Sequence, residues 1–350
     1  MDYLYGYLVF LAQAVTVVIA ILVIMGVGAS SRLRMRQRER GHLEVRKLNE
    51  GLNALKQEMQ AALLEPAALK KERRAQRKTD KQVAKSRAKS APPETEEVPA
   101  APARIFVLDF HGDLQASRVK DLATEITAVL TLAAATDEVV VRVESQGGLV
   151  HSYGLAASQL VRVKEHGVPL TVVVDKVAAS GGYLMAAVAD KVLAAPFAVV
   201  GSIGVVAQIP NVHRLLKKHD VDVEVLTAGK YKRTLTVLGE NTPEGREKFI
   251  SDLEDVHTLF QEFVGTHRPQ IDLEQVATGE TWYGQRAIDL SLVDQISTSD
   301  EYLTRACESA DVYRVHWVEH KKPIERLAAK VETSLQRWLG VDIRSWRRPG

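Results

Sequence analysis

Hydrophobic residues fall along this chain in three rhythms. From Tyr7 to Gly28 they form a nearly unbroken block of 22 residues without a charge, interrupted only by Gln13 and Thr16. A helix of that length rises roughly 33 Å, enough to cross the hydrocarbon core of a bilayer, so the pattern predicts an N-terminal transmembrane anchor over residues 1–30. The small residues at 26–30 suit a cleavage site. The n-region Met-Asp-Tyr carries no basic side chain, however, and the apolar run exceeds a usual signal-peptide h-region, which favours an uncleaved anchor. In the second rhythm Leu43, Val45, Leu48, Leu52, Leu55 and Met59 recur at helical spacing, predicting a short helix within 40–65 that pairs with a copy of itself.

The third rhythm starts near Arg104. Short β-rich runs at 105–110, 139–144, 170–175, 191–196 and 223–228 alternate with helical patterns at 116–134, 152–165, 181–189 and 211–219. Such alternation predicts an α/β domain with a mostly parallel sheet covered by helices. A long amphipathic stretch, 243–267, opens with Thr242 as cap and Pro243 in the first turn, and reads as one exposed or interface helix. The apolar stretch 183–210 imitates a second span, but Asp190 and Lys191 sit in its middle with Pro196 close by, and charges there are costly in lipid.

Charge adds a division that the total conceals. The 350 residues carry 46 Lys and Arg against 44 Asp and Glu, a net of +2, yet residues 31–90 hold 18 basic and 7 acidic side chains. The seven basic residues Arg32, Arg34, Arg36, Arg38, Arg40, Arg46 and Lys47 follow the apolar block closely and none precedes it, so the positive-inside rule favours the cytoplasmic side for the domain, the periplasmic side being the alternative. The arm suits anionic lipid head groups. It lacks interleaved aromatics and any reader motif, so nucleic acid is not expected as a partner. Proline and glutamate in APPETEEVPAAPA, 91–103, argue for an extended linker. The expected organisation is therefore an anchor over 1–30, a basic, partly helical arm and linker over 31–103, a folded domain over 104–300 and a C-terminal extension over 301–350. With 46% hydrophobic and 26% charged residues the chain is neither a multi-span transporter nor a disordered polymer, and the single Cys307 excludes an internal disulfide scaffold.

Three local motifs carry candidate chemistry. Ala178-Ala179-Ser180-Gly181-Gly182-Tyr183 lies between a buried strand and an apolar helix, where a serine gains from exposed N–H groups and the positive helix end. Ser180 as an ordinary N-cap, with glycines that merely allow packing, fits the same residues. Gly147 and Gly148 follow strand 139–144 and can turn main-chain N–H groups toward a ligand as an oxyanion hole requires, or simply make a turn. Lys230 and Lys232 lie in Ala228-Gly229-Lys230-Tyr231-Lys232-Arg233; a lysine serves a serine nucleophile as base once desolvation makes it neutral, and is otherwise a surface charge. The histidines His111, His151 and His213 are scattered, and no triad spacing appears.

Taken together in this order, SQGG at 145–148, AASGGY at 178–183, VGSIGV at 200–205 and AGKYKR at 228–233 resemble the signal peptide peptidase (S49) family of serine peptidases. The anchor and DFHGDLQAS at 109–117 are most similar to its inner-membrane branch. The resemblance covers about 104–300 plus the anchor. It implies a ClpP/crotonase-like spiral of ββα units, with Ser180 matching the family nucleophile and Lys232 the general base. Gly148 and Gly181 would then stabilise the oxyanion, Gly147 assisting the turn. It also implies peptide or protein substrates, a bilayer contact through 7–28 in the bacterial inner membrane, no cofactor or metal, and a homo-oligomer in which the lysine resembles one supplied by a neighbouring subunit. One departure is Ser291, in Ser291-Leu292-Val293-Asp294, where the family often has glycine; it bears on a local turn and not on the chemistry. The rival functions are a crotonase-like acyl-CoA enzyme, which explains the glycines but gives Ser180 and Lys232 no role, and a non-catalytic membrane scaffold.

Overall fold

A computed structural model describes residues 41–63, 78 and 103–319. The expected membrane segment 7–28 and the linker 91–102 lie outside the described residues. In chain order the elements are β1 (Gly41–Lys47), α1 (Leu48–Leu63), β2 (Arg104–Gly112), α2 (Val119–Leu130), β3 (Glu138–Ser145), α3 (Val150–Glu165) and β4 (Leu170–Val174). There follow β5 (Val177–Ala179), α4 (Gly181–Ala187), β6 (Lys191–Ala194), β7 (Val199–Gly201), α5 (His213–Lys218), α6 (Pro243–His267) and α7 (Leu273–Val276). The last are β8 (Thr281–Tyr283), α8 (Gly284–Ala287), β9 (Gln295–Ile296), α9 (Ser299–Ser309) and β10 (Asp311–Glu319). Val45–His316 form one compact unit; the other unit, Met1–Glu44 with Trp317–Gly350, contains a close approach of the Trp317 ring to Gly41 among its described residues.

The fold is mixed α/β. Its sheet runs β1-β10-β2-β3-β4-β6-β9, and from β10 to β9 every pairing is parallel. Strands buried on both faces read as continuous apolar runs, and Leu170–Val174 is buried at all five positions. On one face Ile105, Val107, Val140, Val173, Leu193 and Val312 form a core with Leu303, closed by Leu48 of α1 and by Tyr302, Ala306 and Cys307 of α9. Alternate residues such as Leu108 and Phe110 turn to the opposite face, where α2, α3 and α4 pack side by side. Sequence beyond residue 300 continues this sheet, since Asp311–Arg314 pair with Arg104–Val107.

At its C-terminal end β3 changes neighbours. Val139–Arg142 pair with β4, but Ser145 pairs with Ala178 of β5, and β5 pairs in turn with β7. The sheet therefore forks, and the segments that follow β3 and β5 leave it side by side. Functional groups in parallel sheets collect at such strand ends.

Three expectations are corrected. Residues 41–47 are a strand, and the predicted helix begins only at Leu48, because the edge beside β10 offers the backbone a ladder. Residues 223–228 form no strand; their bonding groups find no neighbouring strand within the described chain, and an unpaired strand is not stable alone. Five short or late strands, β5, β7, β8, β9 and β10, go beyond the strand runs read from the sequence. Among the described residues no helix is long and apolar enough to cross a membrane, and 183–210 is divided among α4, β6, β7 and the segment after them.

Two buried polar devices stabilise the sheet. Asp109 is 5% exposed and accepts from Arg142 Nε at 2.6 Å and from Arg314 Nε at 2.7 Å, tying β2, β3 and β10 together. Burial alone would raise its pKa, but the Arg142 hydrogen bond and the two guanidinium charges outweigh burial and hold it below the ordinary range. Arg268, 1% exposed at the end of α6, grips Asp294 at 2.7 and 2.9 Å and donates to the Ser291 carbonyl at 2.6 Å. Ser291, where the family often has glycine, sits at φ 59°.

Asp109→Asn should therefore destabilise the fold by about 3 kcal/mol at neutral pH, measured by denaturant unfolding. A carboxylate with a depressed folded pKa contributes above its unfolded pKa of about 3.9 and loses that contribution as pH falls through the folded value, so the gap to wild type should narrow below about pH 4. Ser291→Gly should raise stability by about 0.5–1 kcal/mol, because it relieves a left-handed backbone that costs a residue with a Cβ about 1–2 kcal/mol; an unchanged or lower melting temperature would contradict this.

Candidate active site

Ser180 ends β5 and precedes α4, with φ 51° and ψ −120°. That backbone lies outside the extended region usual for an N-cap, and the Ser180 side chain makes no capping hydrogen bond. The reading of Ser180 as an ordinary cap therefore fails, and its hydroxyl is not spent on the helix. The strained turn is held from both sides: Ser180 N donates to Gly201 O at 2.8 Å, and Ser180 O accepts from Leu184 N at 2.9 Å. Backbone strain of this kind persists only where surrounding bonds over-determine it.

The turn after β3 presses against Ser180. Gly147 has φ +89°, and a Cβ added there would lie 2.7 Å from both the Ser180 Cβ and the Gly181 N. Gly148 is equally confined, since its added Cβ would lie 2.2 Å from Leu114 O. The glycines of α4 also answer to packing: a Cβ on Gly181 would meet the Tyr153 ring at 2.3 Å and one on Gly182 the Ser145 carbonyl at 2.6 Å.

These contacts determine where the N–H groups go. Gly147 N donates to Ser145 Oγ at 3.0 Å, and Leu149 N donates to Leu114 O at 2.9 Å. Among the described residues no acceptor takes the N–H of Gly148 or of Gly181, which line the same cavity as Ser180. Two unspent donors beside an uncapped hydroxyl suit a developing oxyanion.

An apolar cavity of about 220 Å³ opens beside Ser180. Its lining joins Gly148, Val150 and Tyr153 with Gly181 and Leu184 of α4, Gly204 and Val205, and Val256, Leu259, Phe260 and Phe263 of α6. The α6 residues follow helical spacing and so form one face. A second, polar cavity of about 390 Å³ is lined by His111, Asp113, Glu144, Gln146 and Gly147. There Lys176 Nζ pairs with both Glu144 oxygens at 3.0 Å, and His111 Nδ1 stands 3.7 Å from Glu144. No histidine lines the Ser180 cavity among its described residues.

Lys232 is not part of this cluster. It lies exposed in the turns after residue 227 and does not line the cavity at Ser180. Its segment is nevertheless anchored to the start of α6: Lys230 pairs with Glu244 at 3.2 Å, and Lys230 and Lys248 lie over the Tyr231 ring at 5.0 and 5.7 Å. Gly245 packs so closely on Thr234 O that an added Cβ would lie 2.3 Å from it. Hydrogen bonds to Tyr231 and then to Glu244 raise the Lys230 pKa, committing that amine to its charged form. The chain thus brings Ser180, Gly147, Gly148 and Gly181 together and leaves Lys232 apart.

Sequence reasoning missed Ser145 and Tyr153 as site residues. Tyr153 is fully buried; its Oη lies 2.5 Å from Ser145 Oγ and donates to Asp113 O at 2.8 Å. Burial raises the phenol pKa above its ordinary value, so the group remains a donor. Only the SQGG run hinted at Ser145, and nothing in the helical pattern of 150–165 marked Tyr153.

A sheet fork that delivers a strained serine and two unspent N–H groups to an apolar cavity is chemically suited to acyl transfer. Family models for the Peptidase family S49 N-terminal region and for Peptidase family S49 match residues 2–160 and 162–313. The chain belongs to peptidase family S49. Within it the chain falls in the SohB branch: it is 57% identical over 230 residues to the Probable protease SohB of Haemophilus influenzae, covering 66% of this chain and 65% of that protein. It is 50% identical over 236 residues to the Probable protease SohB of Buchnera aphidicola subsp. Acyrthosiphon pisum, 67% of this chain and 70% of that one. A solved membrane-bound stomatin-specific protease aligns at 13% identity with a TM-score of 0.37, covering 59% of this chain and 86% of its own.

Gly147→Ala should destabilise the folded chain by about 2–3 kcal/mol, since the added methyl meets backbone rather than a flexible side-chain end and the φ is unfavourable. A melting temperature equal to wild type would show that the turn is looser than this geometry.

Proposed function

We propose that this protein is a membrane-anchored serine endopeptidase working through Ser180 and Lys232. The observation that carries the reading is the uncapped Ser180 hydroxyl at a strained turn, flanked by the unspent N–H groups of Gly148 and Gly181 at the mouth of an apolar cavity. Family membership supports peptide hydrolysis over the acyl-CoA and scaffold alternatives.

In this reading Ser180 Oγ attacks the scissile carbonyl carbon while a neutral Lys232 Nζ takes its proton. The N–H groups of Gly148 and Gly181 hold the oxyanion. Collapse expels the amine, which takes the proton back from Lys232, and water then attacks the acyl-enzyme with the lysine again as base. The apolar cavity would receive an apolar side chain, fitting membrane-associated polypeptides such as signal-peptide remnants. The fold assignment we favour is the ClpP/crotonase-like spiral; the successions β4-β5-α4 and β6-β7-α5 are of the ββα kind.

Lys232 is exposed in the single chain and does not line the cavity at Ser180, whereas a lysine acting as base needs a desolvated place. We therefore place the completed dyad at a subunit seam, where a neighbouring copy excludes water. Exposed apolar residues within 206–250, among them Val206, Leu215, Leu226, Tyr231, Leu238 and Ile250, support such burial by a second copy. Anchoring by 7–28 would concentrate chains in two dimensions, with the domain cytoplasmic by the charge rule.

Turnover of a fluorogenic peptide and labelling by a fluorophosphonate test the reading. Wild type should turn over and label, Ser180→Ala should do neither, and Lys232→Ala should lose at least about 100-fold in turnover. Mixing the two inactive variants should restore part of the activity. Wild-type turnover by Ser180→Ala would remove the nucleophile; zero activity in crosslinked mixed assemblies would return the lysine to the same chain.

A further inference from the structure

The hydrogen-bond directions around Ser145 can be assigned by counting protons. Tyr153 Oη has one proton and donates it to Asp113 O at 2.8 Å. In the 2.5 Å contact with Ser145 Oγ it must therefore accept, and Ser145 donates. Ser145 Oγ in turn accepts from Gly147 N at 3.0 Å. The result is a one-way chain, Gly147 N–H to Ser145 to Tyr153 to the Asp113 carbonyl, with every member satisfied and Ser145 and Tyr153 buried.

This chain links the parts that must stay in register at the candidate site. It takes up the N–H of Gly147, which leaves the Gly148 N–H as the unspent donor of the turn. Through Asp113 it fixes the segment whose next residue, Leu114, accepts from Leu149 N and crowds Gly148. The Tyr153 ring, edge-on to Phe110 at 6.2 Å, also leaves no room for a Cβ at Gly181. One side chain thus touches the supports of both oxyanion donors, while its hydroxyl is engaged by Ser145 and the Asp113 carbonyl.

We propose that Tyr153, acting through Ser145, is a positioning residue that holds the Gly147-Gly148 turn with the Gly148 N–H aimed at the oxyanion. The proposal rests on the serine-peptidase reading above. Without the phenolic hydroxyl, Ser145 loses its acceptor and is free to reorient, and the Gly147 N–H loses a fixed partner. A glycine turn released in this way rotates its peptide plane easily, and a donor turned aside cannot meet the transition state.

The full-length protein in detergent carries the test. Tyr153→Phe keeps the ring and removes one oxygen, and Ser145→Ala breaks the same chain one step nearer the turn. Each should lower kcat by about 10- to 100-fold with KM within about two-fold of wild type. The double variant should be no slower than the slower single one, because both break one chain. Hydrogen exchange should speed up for residues 145–149 in both variants and stay unchanged in β2 and β4. Wild-type kcat in a folded variant, multiplicative losses in the double variant, or unchanged exchange at 145–149 would each overturn the proposal. Should Tyr153→Phe fail to fold, Ser145→Ala decides by the same measures. Ser180→Ala, run in parallel, tests the serine reading separately; if it stays active that reading falls, and the exchange measurement still decides whether Tyr153 holds the turn.

Discussion

The turn at 145–148 approaches Ser180 so closely that only a residue without a Cβ fits at Gly147, and the local geometry of the site depends on that approach. It lets backbone meet backbone where side chains would otherwise keep two strand ends apart. The strained Ser180 conformation, the unspent N–H groups of Gly148 and Gly181 and the cavity lining at Gly148 and Gly181 all lie within a few residues of this contact. Close packing makes it a rigid arrangement, since the neighbouring groups are backbone atoms and a buried ring that cannot give way.

The approach is itself a product of the forked sheet. Because β3 exchanges β4 for β5 at Ser145, the chain leaving β3 and the chain leaving β5 emerge as neighbours. Buried charge keeps the fork in place from behind: Asp109 binds β3 to β2 and β10, and Arg268 binds the end of α6 to the 291–294 turn. That turn receives the Tyr183 hydroxyl at the Leu292 carbonyl, 3.0 Å away, and Tyr183 lies three residues beyond Ser180. The wall of the cavity and the helix carrying the serine therefore share one polar anchor. Breaking one partner of such a buried pair costs far more than the pair contributes, because the other charge stays buried without its counterion.

The surface around α6 follows a different logic. The helix is 25 residues long with only Val264 buried before its end, and the preceding segment exposes large apolar side chains. A face of this kind is stable in water only at a cost, and burial by another copy would remove it. The same segment carries Lys232, whose proposed role needs the desolvation that this chain alone does not supply.

Sequence alone determined the elements whose cause is local. The strands at 105–110, 139–144, 170–175 and 191–196, the helices that follow them and the helix 243–267 lie where apolar periodicity, Thr242 and Pro243 put them, because period and cap are properties of neighbouring residues. Ser180, Gly147, Gly148 and Gly181 came together as a set only through the family resemblance, since a Gly-Gly turn after a strand or a serine before a helix is by itself an ordinary turn or cap. What only the tertiary structure decided depends on partners distant in sequence. Residues 41–47 became a strand because an edge beside β10 was available, and 223–228 did not because none was. Tyr153 and Ser145 gained their roles from a 2.5 Å contact between a helix and a strand end, and Ser180 was distinguished from a cap only by its φ of 51° and its unspent hydroxyl. Periodicity records which face of an element is buried, but the identity of the atom on the other side of that face is set by how the elements pack.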